Sequence, residues 1–99
     1  MDVFHTPGAE LLIQAILSLK TEEECKAFLE DLMTGKEIQD CSQRILVAKL
    51  LRKKLVYSRI AQETGASTAT ISRVSSCYTY GTGGYQTVLG RLEGEAGHD

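Results

Sequence analysis

The sequence contains no tryptophan, one proline, two histidines and three cysteines in 99 residues. It also has no apolar run longer than a few residues, so no segment approaches the roughly 20 residues that a membrane helix needs. Met1 to Pro7 carry neither a basic start nor an apolar block, so no secretory signal is expected and a cytoplasmic location is. Cys25, Cys41 and Cys77 are odd in number and far apart. That spacing excludes a disulfide framework and offers no Cys-x-x-Cys or Cys/His metal pattern, so free thiols in a reducing compartment are expected. His5 and His98 lie near the ends of the chain, where a general base is poorly held. No cysteine has a basic or histidine neighbour in sequence to mark it as a nucleophile. The acidic groups Glu22-Glu23-Glu24 and Glu30-Asp31 read as helix-start and surface charge. The glycines of Gly81-Thr-Gly-Gly84 do not form a G-x-G-x-x-G after a strand, so a phosphate-binding loop is not indicated. Together these absences argue against an enzyme and against a catalytic metal.

The length fits one domain, residues 1–99, with a core small enough that oligomerisation is expected. The net charge of −2 conceals an asymmetry. Residues 1–43 carry three Lys or Arg against nine acids, whereas residues 44–73 carry Arg44, Lys49, Arg52, Lys53, Lys54, Arg59 and Arg73 against Glu63 alone. A basic centre between acidic flanks suits a surface that meets an anion.

The patterning is helical throughout, with no strand and no internal repeat. Leu11, Leu12, Ala15, Ile16 and Leu19 form one face of a helix over 9–20, preceded by a Pro7-Gly8 loop. Thr21 to Glu24 has capping-box spacing and opens a second helix, in which Cys25, Phe28, Leu29 and Leu32 recur. Thr34 to Glu37 repeats the box and opens a long helix over 35–54. Its stripes Ile38, Cys41, Ile45, Ala48 and Leu46, Val47, Leu50, Leu51 demand cover on two faces, part of it from a second subunit. Arg52-Lys53-Lys54 is placed in its last turn, where cations suit the dipole. Short helices follow over 57–64 and 68–76, then a loop over 80–84 and a final helix with Tyr85, Val88, Leu89 and Leu92. The acidic end from Gly94 to Asp99 reads as a frayed tail.

Residues 57–76 carry the functional signal. Ile60 faces inward, Ala61 is small enough for a close helix crossing, Gly65 suits a left-handed helix end, and Ser67 is a good N-cap. Ile71 and Val74, three apart, turn the second helix back onto the first. This is helix-turn-helix architecture, in which the second helix enters a DNA major groove. Ser67, Thr68, Ala69, Thr70, Ser72 and Arg73 are then the candidate groove residues, being small, hydroxylic or cationic. Arg52, Lys53, Lys54 and Arg59 are the candidate phosphate contacts.

Over Gly65-Ala-Ser-Thr-Ala-Thr-Ile-Ser-Arg73 the sequence resembles the Trp repressor family, and within it the YerC/YecD-type branch. Ser42-Gln-Arg44, Leu50-Leu-Arg52, Tyr78-x-Tyr-Gly81 and the run from Gly84-Tyr85 to Arg91-Leu92 support this, so the resemblance spans about 9–92. It implies an all-α, six-helix fold in which two chains intertwine through residues 9–55 and 84–93. It also implies a homodimeric, sequence-specific transcriptional regulator, a repressor, reading palindromic double-stranded DNA. L-tryptophan enters as the implied corepressor, held between the long helix and the recognition helix. Thr70 and Arg73 match two of the family's pocket residues, and the long-helix arginine falls on Gln43 or Arg44. The family glycine after the recognition-helix arginine is Val74 here, whose side chain would obstruct an indole. The competing expectation is a helical dimeric interaction module whose head docks on a protein rather than on DNA.

Overall fold

The computed structural model describes residues 3–94, so Met1, Asp2, His98 and the acidic tail from residue 95 lie outside the described residues. The regular structure among them is helical: α1 (Pro7–Ser18), α2 (Glu22–Leu32), α3 (Gly35–Arg52), α4 (Tyr57–Thr64), α5 (Thr68–Tyr80) and α6 (Gly84–Leu92). The chain divides into two compact units, Met1–Ile38 and Gln39–Asp99, with the boundary inside α3. No helix among the described residues is long and apolar enough to cross a membrane.

Helix starts in the first unit are set by side-chain caps. The expected Pro7-Gly8 loop is instead the first turn of α1: Thr6 is the N-cap, and its hydroxyl accepts from the Ala9 amide at 3.0 Å. Proline suits that first position because its missing N–H would have no partner in the helix. Thr21 accepts from the Glu24 amide at 3.1 Å, while the Glu24 carboxylate reaches one residue further back than a capping box requires, to the Lys20 amide at 2.9 Å. Thr34 and Glu37 close the full reciprocal box, at 3.1 and 2.9 Å.

Neither α1 nor α2 has a buried residue. Of the apolar stripe on α1, Ala15 and Leu19 are half-buried, whereas Leu12 and Ile16 are exposed, Leu11 is 65% exposed, and Leu17 beside them is 79% exposed. These side chains have the composition of an interior without the cover of one.

The second unit has a closed core. Val47, Ala48 and Leu50 of α3, Ile60 of α4, Ala66 of the following turn, Ile71 and Val74 of α5, and Leu89 of α6 form one cluster. Leu51, Leu55, Ala61, Tyr78 and Tyr85 pack around it. Helix α3 therefore buries Ala48 from one of its expected stripes and Val47 and Leu50 from the other, while Ile45 and Leu46, one from each, remain exposed.

Helix α3 ends two residues earlier than the charge pattern suggests. The Lys54 amide bonds to the Leu51 carbonyl at 2.9 Å and the Leu55 amide to the Leu50 carbonyl at 3.2 Å, the paired bonds of a Schellman termination. Lys54 takes the left-handed position with φ +64, and Leu55 folds back onto the core. Lys53 and Lys54 thus project from a turn. Helix α5 runs four residues beyond the expected end at Ser76, because Tyr78, one turn past Val74, still finds core to pack against. It stops at Gly81, where a Cβ would collide with the Cys77 carbonyl oxygen.

Two stability changes are expected. Ile71→Ala, at a fully buried position, should cost about 2–5 kcal/mol through lost burial and a cavity. Lys54→Gly should instead add about 1 kcal/mol by relieving a left-handed lysine. Urea unfolding at one fixed protein concentration checks both, and a destabilised Lys54→Gly would contradict the strain argument.

Candidate nucleic-acid interface

Helices α4 and α5 and the three residues between them form the helix-turn-helix unit. Gly65 carries φ +72 and a Cβ placed there would meet nothing within 4 Å, so backbone conformation rather than space requires glycine. Its amide bonds to the Ala61 carbonyl at 2.9 Å. Thr64 fastens the turn from the inside: its hydroxyl donates to the Ile60 carbonyl at 2.8 Å and accepts from the Ala66 amide at 3.1 Å. Ser67 caps α5, accepting from the Thr70 amide at 3.1 Å. Two of these groups, the Ala61 carbonyl and the Thr70 amide, are ones that a helix end would otherwise leave unpaired.

Helix α5 has two distinct faces. Ile71 and Val74 are 0% and 1% exposed. Ser67, Thr68, Ala69, Ser72 and Arg73 are exposed, and Thr70 is half-buried with its hydroxyl accepting from Ser67 at 3.1 Å. Short side chains on the outer face allow close approach of the helix backbone to another surface. Lys53, Lys54 and Arg73 are exposed, and none is paired with an acid among the described residues. Arg59 is exposed and pairs with Glu63 one turn on, at 2.8 Å. Such a surface pair is weak and opens readily to a competing anion.

Arg52, expected at a phosphate, is engaged within the chain. Its Nε donates to the Glu93 carboxylate at 3.0 Å and its Nη1 to the Tyr78 hydroxyl at 3.3 Å. With 16% of its side chain exposed, it joins the end of α3 to α5 and to the residue after α6. Gln43 makes a contact that the sequence pattern does not announce. Its amide nitrogen donates to the Thr64 carbonyl at 3.2 Å, tying α3 to the last turn of α4. Arg44, one residue on, turns to the Cys41 sulfur of its own helix at 3.3 Å. The only signal for the Gln43 brace is a long polar side chain close to the apolar residues of α3.

An open apolar groove of about 570 Å³ lies elsewhere in the same unit, lined by Ile45, Cys77, Gly81, Tyr85 and Val88 among others. Among the described residues no cluster of three or more His, Cys, Asp or Glu side chains could hold a metal ion.

Comparison with known proteins places this geometry. The chain is 48% identical over 95 residues to the uncharacterized protein YerC of Bacillus subtilis (strain 168), covering 94% of this chain and 91% of that protein. A TrpR-like protein from Eubacterium eligens ATCC 27750 superposes with a TM-score of 0.87 at 51% identity, covering 91% of this chain and 93% of that one. A solved structure from Staphylococcus aureus also gives 0.87, at 43% identity, covering 91% of this chain and 90% of that chain. The profile of the Trp repressor protein family matches residues 8–93, and the chain, with its six helices and its α4-turn-α5 unit, belongs to that family.

Proposed function

We propose that this chain is a DNA-binding transcriptional regulator that works as a homodimer, with α5 of each copy in a major groove of a palindromic site. The observation that carries this reading is the outer face of α5. It is capped, rigidly backed by Ile71 and Val74, and made of residues small enough to reach base edges. Lys53 and Lys54, in the turn before α4, supply phosphate contacts. Arg59 joins them by exchanging Glu63 for phosphate, and Arg73 lies at the groove edge. Arg52 acts indirectly, by holding α3, α5 and the end of α6 together. Nothing in this reading calls for catalysis.

The dimer follows from the apolar surface. One chain leaves Leu11, Ile16 and Leu17 of α1, Leu29 and Leu32 of α2, Ile45 and Leu46 of α3, and Val88 and Leu92 of α6 exposed. A second copy, using residues 9–55 and 84–93, is the occupant that such a surface fits, and it also fills the groove beside Tyr85. The two units of each chain then become parts of a single domain. Light scattering should find a dimer at micromolar concentration, and the denaturation midpoint should rise with protein concentration. A stable folded monomer would contradict this.

DNA binding is tested by selecting duplexes from a random pool and measuring affinity against salt. The Lys53→Ala, Lys54→Ala double variant should weaken binding to all duplexes about equally. It should also flatten the salt slope by about one for each phosphate that is no longer engaged. Ala69→Glu should abolish binding while leaving the dimer folded, because it sets a carboxylate against phosphates. Binding to a protein that survives high salt, with no duplex recovered, would favour the interaction-module reading instead.

A further inference from the structure

The proposed DNA reading requires α5 to be held at a fixed angle to α3, and side chains of this chain supply packing and hydrogen bonds that do so. Val74 and Ile71 project from the inner face of α5 into the cluster formed by Val47, Ala48 and Leu50 of α3 and Ile60 of α4. Val74 is 1% exposed, so its isopropyl group fills the space between α5 and its neighbours. A ring-sized ligand could enter there only by displacing it. At one end of this packed segment Gln43 bonds to the Thr64 carbonyl at 3.2 Å, and at the other Arg52 bonds to the Tyr78 hydroxyl at 3.3 Å and to Glu93 at 3.0 Å. The two braces are separated on α3 by roughly 13 Å along the helix axis. Two tethers thus flank an apolar core that joins the head to α3.

Of the residues that the family resemblance allots to an L-tryptophan pocket, Gln43, Arg44 and Val74 are taken up within the chain. The Gln43 amide is engaged by Thr64, Arg44 turns to Cys41, and Val74 occupies the position of a glycine. We propose that Gln43 and Val74 are positioning residues that lock the helix-turn-helix in its DNA-reading pose, and that this chain binds DNA without an amino-acid corepressor. A ligand shifts a conformational equilibrium only if there are two populated states to choose between. Here one state is built in by packing and hydrogen bonds.

The experiment uses the full chain and has one readout that does not involve DNA. Hydrogen exchange with and without millimolar L-tryptophan should show the amides of residues 57–80 as protected as those of 44–52, unchanged by the amino acid, and calorimetry should register no heat. Gln43→Glu keeps the length but loses the donor, and should speed exchange in 57–80 at least tenfold while 44–52 stays protected. Gln43→Ala should do the same without adding charge, and should lower affinity for a selected duplex severalfold with the salt slope unchanged, as expected of a residue that touches no phosphate. Val74→Ala should loosen α5 in the same assay while retaining helix propensity. The lock is overturned if residues 57–80 exchange freely in the wild type until L-tryptophan is added, if L-tryptophan tightens DNA binding tenfold, or if neither Gln43 variant alters exchange. Full protection in a chain that binds no duplex would leave the lock standing and remove the DNA reading.

Discussion

The structure depends on the second half of α3 being covered. Val47, Ala48 and Leu50 form the floor on which α4, α5 and α6 each set one or two apolar residues. The buried partners are aliphatic and no larger than isoleucine and leucine, with Tyr78 and Tyr85 packed around them. The angle between α4 and α5 is then fixed by side-chain volume rather than by many polar contacts. The polar contacts that exist sit at the edges of this floor. Gln43 is on one side, with Arg52, Tyr78 and Glu93 on the other. A helix-turn-helix needs this kind of support, since helices as short as α4 and α5 are marginal in isolation and take their stability from packing.

The same helix explains why apolar surface is left uncovered in a single chain. Two apolar stripes cannot be satisfied by a unit that buries only part of each. Ile45 and Leu46 remain open, as do α1 and α2. Roughly 25 cal/mol per Å² of apolar surface is the driving force for covering them. The division is therefore sharp: the buried residues hold α4, α5 and α6 on α3, and the apolar residues of α1 and α2 stand uncovered.

Helix existence and the inner face of α5 are legible in the residues, because capping and 3.6-residue periodicity are local. Thr21, Thr34 and Ser67 cap as their spacing demands, Gly65 is left-handed, and Ile71 and Val74 are buried. What is not legible depends on partners distant in sequence. Arg52 looks like any surface cation until Tyr78 and Glu93, 26 and 41 residues away, are brought beside it. Gln43 meets a carbonyl 21 residues on, and no composition rule finds a carbonyl. The helix boundaries differ from the pattern for related reasons. Tertiary packing of Tyr78 carries α5 past the point where periodicity fades, and a Schellman turn stops α3 before its basic residues do.

The basic segment shows how one charge pattern serves two purposes. Of its seven cations, Arg52 is largely buried and doubly bonded, whereas Lys53 and Lys54 immediately after it stand in solvent. The difference is set by the end of the helix. Arg52 occupies the last helical position, from which a planar fork can reach both a hydroxyl and a carboxylate. The left-handed turn at Lys54 then swings the next two side chains away. Adjacent residues thereby have opposite fates, one bonded within the chain and two in solvent. A lysine in place of Arg52 would keep the charge but lose the fork, and the braces on α3 would be reduced to Gln43 alone. The strain at Lys54 has a use in this light. A glycine would terminate α3 with less strain, but it would remove an exposed cation from the turn that leads into α4.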